Sequence, residues 1–131
     1  MRLNRLLLFL NDAPPPVLDF TLELAEKFSA KIFALYIIDE NLVREKMKRE
    51  NKKREVVKDE LEEIAWKKLY EAEDLSARKG VKTSLLLLEG KVNQILREVM
   101  ESYEIDFLIL SRERQLNWER LLEINKGIII L

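Results

Sequence analysis

The sequence contains no cysteine and no histidine. Without cysteine the chain has no disulfide, no thiolate nucleophile and no thiolate metal ligand, and without histidine it has no imidazole base or ligand. These absences exclude most common catalytic sites, so we expect no metal and no cofactor. Carboxylates are abundant, but no pair of them stands out as an acid–base couple. We therefore predict that the protein is not an enzyme.

An excess of one charge and long apolar runs are also missing. The chain has 23 basic and 24 acidic residues, a net charge of −1, so no global field attracts nucleic acid or an anionic membrane. No apolar run is long enough to span a bilayer, and no signal-peptide cleavage pattern is present, so we expect a cytoplasmic protein. Charged residues make up 36% of the chain and only two residues are glutamine, a composition typical of thermophile proteins.

What is present is the pattern of a single α/β domain over residues 1–131. Five short apolar runs, each suited to a buried strand, alternate with segments of helical periodicity. The runs are residues 6–10, 32–38, 81–88, 105–110 and 128–131. Continuous apolar strands between amphipathic helices predict a parallel sheet covered on both faces. Right-handed crossovers make that sheet doubly wound.

The helical segments carry apolar faces that we expect to be buried. The faces are Val17, Phe20, Leu24 and Phe28; then Val57, Leu61, Ile64, Ala65, Leu69 and Ala72; then Val92, Ile95, Leu96, Val99 and Tyr103. Three prolines at residues 14–16 open the first helix, where a missing N–H costs no intrahelical bond. Trp66 and Trp118 lie on helical apolar faces and are expected in the core or at an interface.

Residues 44–55 form a charged segment with seven basic residues, three acidic ones and almost nothing apolar. One interpretation is an anion or nucleic-acid patch built from residues 44–54, Arg44 to Arg54. The segment lacks aromatic residues for base stacking, and its glutamates are spaced to pair along a helix. We favour an exposed, mobile extension that does not pack on the body and whose deletion leaves stability nearly unchanged. We expect no binding to nucleic acid.

The polar loop that begins at Ser111 lies at the carboxyl end of a central strand, where α/β folds bind ligands. Asn11 and Asp12 end the first strand and should meet Ser111, Arg112 and Arg114 in one crevice. One interpretation is a ligand site in which an arginine holds an anion bidentately. We favour the other, in which Asn11 and Asp12 cap turns and the arginines pair with glutamates in solvent. No base is available to activate Ser111 as a nucleophile.

The chain resembles the universal stress protein family in the order and spacing of four segments. The first two are LAEKFSAK at residues 24–31 and YIID at 36–39. The third is LEG at 88–90, followed by IL at 95–96, and the fourth is DFLILSR at 106–112, followed by ERLL at 119–122. The resemblance implies a five-stranded sheet in the order 3-2-1-4-5. It also implies dimerisation, often through the last strand.

Nucleotide-binding members of this family carry the pattern Gly-x2-Gly-x9-Gly-Ser/Thr after the fourth strand. Its positions fall here on Ser111, on Arg114, near Ile124 and on Asn125, so none matches. Glycines let bare backbone N–H groups approach a phosphate. The three prolines remove further donors from the facing helix.

The resemblance therefore implies the fold, while the residues predict no ATP binding. The alternative is an adenine-nucleotide binder, or slow hydrolase, that uses Arg112 and Arg114. The candidate crevice residues are Asn11, Asp12, Ile38, Ser111, Arg112 and Arg114.

The last apolar run is predicted to form an edge strand. An apolar, uncharged edge invites pairing with another chain. We expect a homodimer formed by Ile128, Ile129, Ile130 and Leu131, with Trp118 near the interface. The predicted function is a dimeric regulatory or interaction module of the stress response, with an unidentified protein partner.

Overall fold

The computed structural model describes residues 3–112 and 126–131 as a five-stranded sheet with helices on both faces. The elements are β1 (Arg5–Phe9), α1 (Pro15–Phe28), β2 (Lys31–Asp39), α2 (Glu40–Glu50), α3 (Arg54–Arg78), β3 (Thr83–Gly90), α4 (Val92–Ser102), β4 (Phe107–Leu110) and β5 (Gly127–Ile130). The strand order is β3-β2-β1-β4-β5, and every neighbouring pair is parallel. The predicted fold class and strand order are confirmed.

β1 lies in the middle of the sheet and is buried on both faces. Leu6 and Leu8 pack with α1 and the second half of α3, whereas Leu7 and Phe9 pack with α4. Because successive side chains of a strand point to opposite faces, a strand covered on both sides must be apolar throughout. Burial on both faces therefore explains why residues 6–10 form a continuous apolar run.

α1 presents a different face to the core from the one we expected. Its buried residues are Val17, Leu18, Thr21, Leu22 and Ala25. Phe20 and Phe28 are 39% and 55% exposed, so the prediction that they are core residues was wrong. A polar residue lies at the centre of the true face, and Thr21 is accommodated there because its hydroxyl donates to the Val17 carbonyl at 2.7 Å. A search for apolar periodicity passes over such a face.

The core stripes of the later helices agree more closely with the sequence. Val57, Leu61, Ala65, Leu69 and Ala72 are buried along α3. Ile64 is 45% exposed and Trp66 is 37% exposed, so neither is a core residue. The buried positions recur every three or four residues as one narrow stripe, and Ile64 falls beside it. In the described part of the chain, no helix is long and apolar enough to cross a membrane.

The helical stretch after β2 is two helices. α2 ends at Glu50 and is capped by Asn51. The φ of Asn51, 49°, is left-handed, and its N–H bonds to the Met47 carbonyl. Asparagine adopts this conformation more readily than most residues. The break lets α2 pack against α3, with Val43 and Val57 joining Ile38 in a separate buried cluster.

The charged segment at residues 44–55 is mostly exposed, as expected, yet it is joined to the body. Met47 packs against the cluster of Ile38, Val43 and Val57. The Lys52 ammonium lies 2.7 Å from a Glu60 carboxylate oxygen and 3.3 Å from one of Glu50. The prediction that the segment does not pack was therefore wrong, because Met47, Lys52 and Arg54 attach it to the body. Its mobility stays a prediction.

Glu89, at the end of β3, ties the start of α3 to the sheet. Its carboxylate oxygens lie 2.9 Å from the Arg54 guanidinium and 2.8 Å from the Lys58 ammonium. The hydrogen bond from Lys58, reinforced by the one from Arg54, holds the pKa of Glu89 below its ordinary value. A carboxyl group whose pKa is lowered by folding stabilises the protein above its unfolded-state pKa.

We predict that Glu89→Gln lowers the free energy of unfolding at pH 7 by about 1 kcal/mol or less, since both ion pairs are partly exposed. The difference from the parent protein should be fully present above the ordinary glutamate pKa of 4.5. It should shrink as the pH falls through the lower, folded-state pKa. Urea unfolding at several pH values measures this.

The matched control is Glu104→Gln, whose side chain is 82% exposed and lies 3.8 Å from Arg5. It should leave stability unchanged across the same pH range. An equal loss in both variants, or a Glu89→Gln effect that grows in acid, would contradict the assignment of the effect to this ion pair.

Candidate functional site

A crevice of about 500 Å³ opens at the carboxyl edge of the sheet, beside the ends of β4 and β5. Parallel α/β sheets bind ligands at this edge, where neighbouring strands lead into crossovers on opposite faces. Its walls include Pro14, Pro16, Val17, Phe20, Ser111, Arg112, Ile130 and Leu131. Ser111 and Arg112 therefore line a crevice, as the sequence predicted. The other described wall residues are apolar.

Asn11 does not offer its side chain to this crevice. Its Nδ2 group donates to the Ile37 carbonyl and its Oδ1 accepts the Ile37 N–H, both at 2.8 Å. An asparagine side chain carries a donor and an acceptor as a peptide group does. It thus extends the pairing of β1 with β2 beyond Leu10, whose N–H bonds to the Leu35 carbonyl at 2.9 Å. The turn-cap interpretation of Asn11 was wrong, because its amide joins two strands, and a role of Asn11 in ligand binding stays a prediction.

The structure also separates two other candidates from the crevice. Ile38 is 2% exposed and packs with Val43 and Val57 beneath α2 and α3. Asp12 is exposed, with a left-handed φ of 58°, in the turn after β1. Neither is among the described wall residues, and Arg114 lies outside the residues that the structure describes.

The N-terminus of α1 borders the crevice without a free backbone donor in its first turn. Pro14 is the N-cap, and Pro15 and Pro16 follow as the first two helical residues. None of the three has an N–H group, and the next one, on Val17, donates to the Pro14 carbonyl at 3.0 Å. Helix N-termini bind anions through such free N–H groups. At this N-terminus, the described groups that line the crevice are apolar proline and valine side chains instead.

In the loop after β4, the backbone N–H of the second residue, Arg112, already has a partner. The Arg112 N–H bonds to the Leu131 carbonyl at 2.7 Å, and the Leu131 N–H bonds to the Leu110 carbonyl at 2.9 Å. The pairing of β4 with β5 therefore continues past both strands. Ser111 is 2% exposed, whereas Arg112 is exposed at the rim. These walls suit an apolar group with one negative charge at its edge better than they suit a chain of phosphates.

The sequence profile of the universal stress protein family matches residues 8–124. The chain belongs to the universal stress protein family. No curated protein sequence matches it closely enough to add a relative.

Solved structures with this fold are similar to the chain over nearly its whole length. The hypothetical protein MJ0577 is 15% identical, with a TM-score of 0.79, 100% of this chain and 96% of that chain covered. A universal stress protein family member from Burkholderia pseudomallei is 16% identical, with a TM-score of 0.75 and coverages of 98% and 96%. The Archaeoglobus fulgidus universal stress protein in complex with dAMP is 15% identical, with a TM-score of 0.71 and coverages of 99% and 98%. At such identities the likeness concerns the fold.

Of the family's glycine pattern, one position falls within the described residues of this universal stress protein. That position is Ser111, which is buried and carries a side chain where the pattern has bare backbone. Sequence reasoning missed the crevice role of Val17 and Phe20, which it placed in the core. The signal that could have found them is the proline triplet at residues 14–16, a short loop after β1, since it fixes where α1 begins. Among the described residues, no group of three or more carboxylates could hold a metal ion.

We predict that Asn11→Ala destabilises the protein by about 2–4 kcal/mol, because it leaves a buried N–H and a buried carbonyl of Ile37 without partners. Asn11→Asp should also destabilise at pH 7, since an ionised carboxylate cannot donate to the Ile37 carbonyl. Chemical denaturation measures both losses.

Asn93→Ala serves as the control, because Asn93 lies on the half-exposed face of α4. Its effect should be well under half that of Asn11→Ala. If Asn11→Ala proves as stable as the parent, the amide is not the closing pair of the β1–β2 ladder.

Proposed function

We propose that this universal stress protein is a cytoplasmic, dimeric regulatory or interaction module of the stress response that neither binds ATP at cellular concentrations nor catalyses a reaction. The observation that carries the proposal is the donor-poor crevice. The first turn of α1 has no free N–H, and the N–H of Arg112, the second residue of the loop after β4, is bonded to Leu131. The described walls, apart from Ser111 and Arg112, are apolar.

The energetic argument follows from what a triphosphate requires. Each charge-assisted hydrogen bond to a phosphate contributes roughly 1.5–3 kcal/mol, so the loss of several turns micromolar affinity into millimolar or weaker. Apolar walls such as Pro16 and Phe20 add the cost of removing an anion from water without replacing its hydrogen bonds. Arg112 offsets one charge, and the net balance still disfavours ATP.

The alternative function is adenine-nucleotide binding. The observation that favours it is the Archaeoglobus fulgidus structure, which has the same fold and holds dAMP. A monophosphate has fewer charges to satisfy, and guanidinium binds phosphate bidentately. Arg112, exposed at the rim of the crevice, is the described residue that would do this, with Arg114 as a second candidate.

We predict that calorimetric titration with ATP and magnesium gives a dissociation constant weaker than about 100 μM, equivalent to roughly 5.5 kcal/mol. AMP, titrated in parallel, tests the monophosphate alternative. Tighter binding of ATP would contradict the proposed function, and tighter binding of AMP alone would favour the alternative. Arg114→Gly then separates two causes: binding strengthens if backbone approach is limiting, and disappears if the guanidinium holds the phosphate.

The dimer is proposed from the state of β5. β5 lies at one end of the sheet, with Ile128 packed towards α4 and Ile129 packed towards α1. Each of these side chains stays partly uncovered, and Ile130 is 44% exposed. An apolar edge strand with free peptide groups is an aggregation hazard unless another chain covers it. A second copy paired through Ile128–Leu131 would cover it; Trp118 lies outside the described residues.

We predict a sedimentation mass of about twice the 15.6 kDa chain mass at micromolar concentration. Ile130→Lys should shift the protein towards monomer or aggregate, because a lysine opposes edge pairing. Ile64→Lys is the matched control, since Ile64 is 45% exposed on α3, away from β5. A parent protein that sediments as a monomer, or an equal effect of both lysines, would contradict pairing through β5.

A further inference from the structure

α3 carries an exposed aromatic pair on the side away from its buried stripe. Trp66 and Tyr70 are stacked, with ring centroids 5.3 Å apart and ring planes inclined by 25°. They are 37% and 57% exposed. Residues four apart on a helix are neighbours, so the pair forms one continuous surface. Tryptophan and tyrosine on such surfaces are enriched where proteins bind one another.

The aromatic pair lies between two pairs of acidic residues. Glu62 and Glu63 lie one turn before Trp66, and Glu73 and Asp74 lie one turn after Tyr70. We call these six residues the aromatic-acidic face. Residues 59–74 as a whole contain seven acidic and two basic residues, although the protein has a net charge of only −1. A local negative field of this size selects a positively charged partner.

The acidic groups of this face have few partners in the described structure. Asp74 lies 3.7 Å from the Arg78 guanidinium, and no ion pair within the described residues engages Glu62, Glu63 or Glu73. By contrast, Glu60, nearer the start of α3, and Glu89, on β3, are paired with lysine or arginine. Lys67 and Lys68, between Trp66 and Tyr70 in sequence, are the two basic residues that oppose the field.

We propose that the aromatic-acidic face docks an arginine-rich segment of a partner protein. A guanidinium group stacks flat on an aromatic ring and simultaneously donates to carboxylates at the ring's edge. The exposed parts of the stacked Trp66 and Tyr70 rings provide the aromatic surface. The acceptors, one turn before it and one turn after it, are Glu62, Glu63, Glu73 and Asp74. Lysine, a compact and strongly hydrated point charge, exploits the carboxylates but gains less from the rings.

This inference rests on the proposed role as an interaction module, and it gives the chemistry of the partner. It does not depend on the crevice or on β5. If the protein binds both ATP and the arginine-rich peptide, the proposed function is contradicted and this inference stands. If it is a dimer that binds neither ATP nor the peptide, the proposed function stands and this inference is contradicted.

The test uses the full chain and a short fluorescein-labelled peptide in which arginine alternates with serine. Fluorescence anisotropy at physiological ionic strength measures the affinity. The same peptide with lysine in place of arginine should bind severalfold more weakly, because the stacking contribution is lost. Equal affinity for the two peptides would show a diffuse charge effect and would overturn the proposal.

The variants divide the aromatic contribution from the acidic one. Trp66→Ala should weaken binding of the arginine peptide about tenfold or more, as expected for a central aromatic contact. Phe28→Ala, an exposed aromatic residue on α1, is the matched control and should leave the affinity unchanged. Replacing Glu62, Glu63 and Glu73 with glutamine should weaken binding further than replacing the exposed Glu23, Glu26 and Glu101.

A second readout locates the peptide directly. In the Trp118→Phe variant, Trp66 is the one remaining tryptophan, so its fluorescence should change when the arginine peptide is added. Unchanged fluorescence would overturn the proposal. So would a fall in sedimentation mass caused by Trp66→Ala without peptide, because the face would then be an interface between copies of this chain.

Discussion

Residues 6–9 of β1 have almost no access to water on either face, and the rest of the structure depends on how the polar groups of this strand are satisfied. Every peptide N–H and carbonyl of a buried strand must find a partner inside the protein. β2 and β4 supply these along the strand, and side chains complete them at its two ends. At the start, Asp106 accepts the N–H groups of Asn4 and Arg5 at 2.9 Å. At the end, Asn11 pairs with both polar groups of the Ile37 peptide.

The pairing of Asn11 with the Ile37 peptide limits which groups the carboxyl edge of the sheet can present to a ligand. A polar residue at the end of a central strand would ordinarily be a candidate for binding, but Asn11 is committed to holding β1 against β2. The prolines have the corresponding effect on α1, since they set where the helix begins and leave its first turn without free donors. The universal stress protein fold is thus combined with a crevice whose described walls are largely apolar. Fold and binding chemistry are separable in this way because ligand contacts come from few residues on loops and element ends.

The charges of the protein are likewise organised by the fold. The net charge of −1 includes both a basic block at residues 44–54, from α2 to the first residue of α3, and an acidic block further along α3. At the junction of α3 with β3, the carboxylate of Glu89 is paired with Arg54 and Lys58. Further along α3, Glu62, Glu63 and Glu73 surround an exposed aromatic pair. The first arrangement joins elements of the body, whereas the second presents both charge and flat apolar surface to solvent.

The sequence by itself determined the layer architecture. The apolar runs that form the strands are continuous because burial on both faces excludes polar residues, so they could be recognised without knowing their neighbours. The stripe of α3 through Leu61 and Ala65 could be read for the same reason. Strand order followed from the family resemblance, and the position of Ser111 and Arg112 at a crevice followed from that order.

Only the tertiary structure decided which residues of each element meet another. Phe20 and Leu18 of α1 are both apolar, and which is buried depends on the rotation of the helix over the sheet, where Thr21 can enter because its hydroxyl bonds to its own backbone. The break at Asn51 and the attachment of Met47 depend on contacts between residues far apart in the chain. Asn11 is the sharpest case. Its partner, Ile37, is 26 residues away in the chain. The local sequence therefore shows that an amide is present, and only the fold decides that it pairs with the Ile37 peptide.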